Sequence, residues 1–168
     1  MTEPAPEAAD NAETSKPSDT FPLTGCLLGL DYGTKRVGIA ICDFEQRIAS
    51  PLNNYSRSNS TADAVHLKTI ASEYRAAGLV VGLPVHMSGD EGEKAKEARR
   101  FAEWASDATG LPVRFQDERF TTSRAEEAMR AAGLSTKKRK QRLDKVAAQM
   151  VLQAFLDRDE RESAPGAI

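Results

Sequence analysis

At 168 residues, with 23 basic and 25 acidic side chains and a net charge of −2, the chain has the length of one domain and can bury roughly two-thirds or more of its surface on folding. It holds no run of about 18 apolar residues, which excludes a membrane-spanning helix. The N-terminus shows neither the basic start nor the apolar core of a secretory signal, so a cytoplasmic protein is expected. Its two cysteines, Cys26 and Cys42, are too few for a disulfide framework; they could face each other across a hairpin, but two reduced thiols are the expectation.

Residues 1–20 carry three prolines, no Val, Ile, Leu or aromatic residue, and five acids against Lys16 alone, a net −4 that leaves +2 on the rest of the chain. Such a segment cannot bury a core and is expected to be a disordered acidic tail. The folded domain is expected over 21–158, with a frayed tail at 159–168.

Three strands come first: Cys26 to Leu30, Val37 to Cys42, and Arg47 to Asn54, where Pro51 points to a sheet edge. A helix is expected from Thr61 to Ala77, started by Ser60 or Thr61 and stopped by Gly78. The apolar run Leu79 to Leu83 reads as a buried central strand. A charged helix from Asp90 to Ala108 turns Ala98, Phe101, Ala102, Trp104 and Ala105 inward, and a fifth strand covers Pro112 to Phe115. Ser123-Arg124-Ala125-Glu126 fits a capping box for a helix through Ala132, and a last helix runs from Arg139 to Leu156. Strands in a meander followed by alternating helices and strands predict an α/β fold. Its sheet is mixed and five-stranded, a three-strand antiparallel meander plus two parallel strands, with helices on both faces.

The candidate chemistry rests on carboxylates. Asp31 ends the apolar run Leu27-Leu28-Gly29-Leu30 just before a tight turn at Gly33. An ionised acid there is costly unless it is paired, coordinates a cation or takes up a proton. In the last helix, Lys145, Gln149 and Gln153 form an i, i+4 stripe expected to face water. Asp144 lies roughly 140° from the centre of that stripe, on the side turned toward the protein. A third acid comes from Asp117-Glu118, just past the fifth strand. Alternation points the two to opposite faces, so only one can share a site with Asp31, and local pattern leaves the choice open.

Three oxygen-donor acids from separate elements suit a hard cation, Mg²⁺ or Mn²⁺, rather than zinc. Two such ions roughly 4 Å apart can activate a water and hold the leaving oxygen of an in-line attack on phosphorus. His66 and His86 have no nucleophile elbow beside them, which gives covalent catalysis little support. Basic residues gather around the acids: Lys35 and Arg36 after the Asp31 turn, Arg119 beside the third acid, and Lys137, Lys138, Arg139, Lys140 and Arg142 before Asp144. They are the candidate contacts to a polyanionic backbone. Cations at a helix start oppose its dipole, so a merely solvated run explains them less well.

The stretches Leu30-Asp31-Tyr32-Gly33-Thr34-Lys35-Arg36-Val37-Gly38-Ile39-Ala40, Val81-Gly82-Leu83-Pro84, Asp117-Glu118-Arg119-Phe120-Thr121-Thr122 and Lys140-Gln141-Arg142-Leu143-Asp144-Lys145-Val146-Ala147-Ala148 together resemble the YqgF family, also called RuvX. The resemblance spans Gly25 to Asp157. It implies a ribonuclease H-like fold and a metal-dependent nuclease of the bacterial cytoplasm. By position it selects Glu118, giving a catalytic and metal-binding triad of Asp31, Glu118 and Asp144. It offers two substrates, the 5′ end of precursor 16S ribosomal RNA and the four-way DNA junction, with RNA maturation preferred. Symmetrical cleavage of a junction would require a homodimer. Two other readings stand beside it: a catalytically silent nucleic-acid-binding module, and a nucleotide-binding domain. The latter follows because Asp31-Tyr32-Gly33-Thr34 also resembles the first phosphate loop of the actin, Hsp70 and sugar-kinase superfamily, although the chain is too short for that superfamily's two domains.

Overall fold

Side chains along a strand alternate between faces, and in the first strand Leu28 and Leu30 join one core while Leu27 joins another. The sheet is therefore covered on both sides. The computed structural model describes residues 20–86, 88–119 and 127–158, with the side chains of Lys140, Gln141, Asp144 and Lys145 outside that description. Residues 1–19 of the expected 1–20 tail, the expected tail at 159–168 and the capping box at 123–126 also lie outside it.

The elements are β1 (Leu27–Tyr32), β2 (Arg36–Cys42), β3 (Ala49–Ser56), α1 (Ser60–Glu73), β4 (Gly78–Leu83), α2 (Glu93–Thr109), β5 (Val113–Asp117) and α3 (Thr136–Leu156), with residues 127–131 helical just before α3. They form one sheet in the order β3-β2-β1-β4-β5. The β1–β2 and β2–β3 pairs are antiparallel, and the β1–β4 and β4–β5 pairs are parallel. This is the mixed five-stranded sheet expected from the sequence, a three-strand antiparallel meander plus two parallel strands. As Pro51 implied, β3 is an edge, and β4 is buried at all six positions.

On one face, Leu28, Leu30, Val37 and Ile39 pack against Leu67 and Ile70 of α1 and Phe101 of α2. On the other, Leu27, Ala40 and Val80 pack against Ala148, Val151, Leu152 and Phe155 of α3. Cys26 and Cys42 are free thiols, and the buried Cys42 Sγ accepts the Leu27 N–H at 3.2 Å. Burial, then the neighbouring Cys42, pushes the Cys26 thiol up to about 11.

Several boundaries differ from expectation for local reasons. Asp31 lies inside β1, paired with Gly38, because the hairpin ladder continues to Tyr32↔Val37. Helix α1 is capped by the Asn59 side chain rather than by Ser60 or Thr61, and it stops at Glu73 because the backbone turns left-handed at Arg75, φ 49°. Gly78 accordingly opens β4 instead of ending the helix. Helix α2 starts at Glu93, since a bridge between Val85 and Glu91 holds the preceding loop. Strand β5 runs on to Asp117 by pairing with Leu83, and Ser135 caps α3 three residues earlier than expected.

The glutamine stripe does not face bulk water. Gln153 Oε1 accepts the Ala49 N–H at 2.8 Å, and its Nε2 donates to Arg47 O at 3.0 Å; Gln149 Nε2 donates to Ala49 O at 3.0 Å. The two side chains saturate backbone groups where edge strand β3 begins. Ala49 is 2 % exposed, so removing its partner leaves a desolvated N–H. Gln153→Ala is expected to lower unfolding stability by about 1–3 kcal/mol in urea titrations. A loss under about 0.5 kcal/mol would mean that water replaces the amide without cost.

Candidate metal centre

Asp31 follows Leu27 and Gly29 on the α3-facing side of β1. A Cβ built on its cross-strand partner Gly38 would lie 3.5 Å from Asp31 Cβ and 3.4 Å from Ala148 Cβ, so α3 passes directly over this point. Asp144 is one turn before Ala148 on α3. That register places its backbone at the same end of the sheet, although its side chain lies outside the described residues.

Glu118 follows β5 immediately, and its N–H donates to Leu83 O at 3.1 Å, extending the parallel ladder by one residue. Val113 and Phe115 face the α1–α2 side, and Asp117 continues their alternation. Asp117 is occupied locally: its Oδ1 accepts the Arg119 N–H at 2.8 Å and its Oδ2 the Arg119 Nε–H at 2.7 Å. Glu118 takes the other face. Its carboxylate folds over Gly82, where a Cβ would fall 2.0 Å from Oε1 and 3.0 Å from Val151 Cγ2. Only a residue without a side chain leaves that space.

Asp31 and Glu118 line one cleft of about 370 Å³ together with Thr34, Gly82, Lys94 and Glu97. Burial, then the charges of Asp31 and Asp117, push the Glu118 carboxyl up from 4.5 to about 7. Two half-buried carboxylates facing one cleft, the charge of Asp31 adding to the burial that raises the Glu118 carboxyl, offer only oxygen donors and fit a hard divalent cation. The same site without a cation holds its like charges at a cost.

The expected basic contacts are dispersed. Lys35 and Arg36 are exposed beyond β1, and Lys137, Lys138 and Arg142 are exposed on α3. Arg119 is bound to Asp117, and the Arg139 guanidinium donates to Leu134 O at 2.8 Å and Thr136 Oγ1 at 3.1 Å. The Lys140 side chain lies outside the described residues. None of these lines the cleft among the described residues. His66 stacks on Tyr55 with centroids 3.9 Å apart, away from the cleft, and His86 lies against Gly92 at the start of α2.

Sequence reasoning missed a clamp behind the site. Arg57 donates its backbone N–H to Lys35 O at 2.8 Å and Nη1 to Gly33 O at 3.5 Å, and its Nε pairs with Asp63 at 3.3 Å. Asp63 is 5 % exposed. Burial raises its proton affinity, but hydrogen bonds from Ser58 N–H, Tyr55 hydroxyl and Arg57 outweigh that and hold its carboxyl below the usual range. The turn after Asp31 is thereby fixed from α1. Gly82 was read only as part of a motif; the clearance it provides for Glu118 becomes visible once β4 and β5 are side by side.

The family model for RuvX, described as Holliday junction resolvase, matches residues 25–158. A protein of Rhodopirellula baltica named "Putative pre-16S rRNA nuclease" is 47 % identical over 144 residues, covering 86 % of this chain and 83 % of its own. Two others bear the same name: one from Cereibacter sphaeroides is 48 % identical, covering 83 % and 87 %, and one from Paracoccus denitrificans is 42 % identical, covering 89 % and 93 %. Thermus thermophilus RuvC in complex with a Holliday junction substrate aligns with a TM-score of 0.49 at 12 % identity over 77 % of this chain and 92 % of that one, too distant to carry an inference. Four motifs in order, a family match over most of the chain and near-half identity across the folded region have one reading: the chain belongs to the RuvX family.

Proposed function

We propose that the protein is a metal-dependent endonuclease that hydrolyses phosphodiester bonds in structured nucleic acid, and that its substrate is the 5′ end of precursor 16S rRNA. The observation that carries the reading is the Glu118 carboxylate folded over Gly82 beside Asp31, held against a like charge with its pKa near 7. The relatives' shared name supports the RNA substrate, and maturation of ribosomal RNA fits a cytoplasmic protein.

In this reading Asp31, Glu118 and Asp144 would hold one or two Mg²⁺ or Mn²⁺ ions, which when bound would supply Lewis-acid activation of water and charge neutralisation at the leaving oxygen. Asp31 and Glu118 present their oxygens from β1 and the end of β5, and Asp144 closes the set from α3. Gly82 leaves room for Glu118, and Asp117 with Arg119 fixes the turn that aims it. Lys35, Arg36, Arg119, Lys137, Lys138, Arg139, Lys140 and Arg142 draw in the polyanionic strand.

The family's description favours a second reading, cleavage of a four-way DNA junction. That reaction would need a two-fold dimer to cut both strands symmetrically. Labelled precursor 16S RNA and a labelled junction, each incubated with protein and Mg²⁺, decide between them. Cleavage of neither would leave a silent nucleic-acid-binding module.

Asp31→Asn, Glu118→Gln and Asp144→Asn are each expected to abolish cleavage while leaving nucleic-acid binding and folding largely intact. Activity within about tenfold of wild type in any of the three would remove that residue from the metal site.

The Glu118 shift also sets a pH dependence. Its folded-state pKa, about 7, lies above the ordinary 4.5. The native protein therefore binds the extra proton between those values, and the resulting stability, full at low pH, is lost as pH rises through about 7. In chelator, thermal melts should show a wild-type Tm that falls between about pH 5.5 and 8 more steeply than that of Glu118→Gln. Mg²⁺ at the upper pH should raise the wild-type Tm by binding the native state. Superimposable profiles for the two proteins would contradict the charge repulsion.

A further inference from the structure

The cleft that holds Asp31 and Glu118 has a wall from the first two turns of α2, where Lys94 and Glu97 line it. Lys94 is exposed and has no hydrogen bond or ion pair among the described residues. Its neighbour Glu93 is paired with Lys96 at 3.2 Å, not with Lys94. A cation in the first turn of a helix opposes the helix dipole, so the stability of α2 does not account for a lysine here. Among the described residues it is the one cation that lines the cleft, and none of the described basic residues singled out from sequence does so.

We propose that Lys94 contacts a phosphate of the bound nucleic-acid strand from the α2 wall of the cleft, next to the phosphate on which the carboxylates act. The proposal rests on the nuclease reading for which phosphate is cut, and on the cleft alone for the contact. A lysine ammonium suits a phosphate of any sequence, because it offers a compact charge on a flexible stem. Glu97 bounds the contact. It lies one turn further along α2 on the same wall, so a phosphate displaced in that direction meets a carboxylate.

The test uses the full chain with labelled single-stranded RNA and a labelled four-way DNA junction as probes, in chelator so that nothing is cut. Dissociation constants are measured across a salt series for wild type, Lys94→Gln, Lys94→Arg and Lys96→Gln. Lys94→Gln should weaken binding several-fold at the lowest salt and flatten the slope of log affinity against log salt by about 0.7 on the single strand or about 0.9 on duplex arms. Lys94→Arg should keep the wild-type slope, and Lys96→Gln, on the same helix but not lining the cleft, should leave it unchanged. A residue that merely supported α2 would change melting temperature without changing the salt slope. An unchanged slope in Lys94→Gln, or an equal change in Lys96→Gln, overturns the proposal, as does failure of the wild type to bind either probe.

Cleavage in Mg²⁺, assayed separately, keeps the two readings apart. A flattened slope in a protein that cuts nothing would uphold the phosphate contact and remove the nuclease. Cleavage by wild type with an unchanged slope in Lys94→Gln would do the reverse.

Discussion

Helix α3 crosses the sheet so closely that Ala148 Cβ lies 3.4 Å from where a side chain on Gly38 would begin. Everything at the candidate centre follows from that approach. It closes the second core through Val151, Leu152 and Phe155, and it removes water from around Glu118. It also requires that β2 and β4 present glycine where the helix and the carboxylate pass. Burial is the leading cause of Glu118's raised pKa, so the same packing that stabilises the domain makes the metal-free site electrostatically uncomfortable. A folded state that holds two like charges in a half-buried cleft is less stable than it could be, and a bound cation would relieve the strain. Stability and chemistry are thus opposed at one place and reinforced everywhere around it.

The other side of the sheet does quieter work for the same residues. Arg57 and Asp63 bind the β1–β2 turn to the start of α1, and the Arg57 guanidinium lies 5.5 Å from the Tyr32 ring centroid. Asp31 is therefore held from both faces: by α3 above and, behind the turn that follows it, by an ion pair whose carboxylate is buried. Losing one partner of such a pair leaves the other charge uncompensated, which is why breaking it costs more than the pair itself contributes.

Much of this was legible in the residues. Apolar runs of strand length broken by Gly and Pro gave the five strands, and the meander-then-crossover order gave the mixed sheet. Asp31 stood out because a carboxylate ending a buried run needs a reason, whereas Glu118 was selected only by the family resemblance. What sequence left open was decided by neighbours in space. Asp117 and Glu118 are equivalent locally, and only the face occupied by Val113 and Phe115 separates them. The Gln149–Gln153 stripe has the same periodicity whether it faces solvent or a strand edge, because an amide satisfies water and backbone equally well. Lys94 is one charge among many on an acidic and basic helix, and its place in the cleft depends on how α2 docks. Arg57 and Asp63 flank a helix start with no pattern to mark them as partners.

The hydrogen bonds from Gln149 and Gln153 to the start of β3 act as a ruler for α3. Apolar packing alone tolerates small axial slips, since one Leu or Val can fill much of its neighbour's space. Directional amide bonds do not. A slip of a single residue would turn the helix by about 100° and shift it by about 1.5 Å, carrying Asp144 off the side it shares with Ala148. The position of the Asp144 backbone along the sheet is therefore set one to three turns away, at the edge where β3 begins.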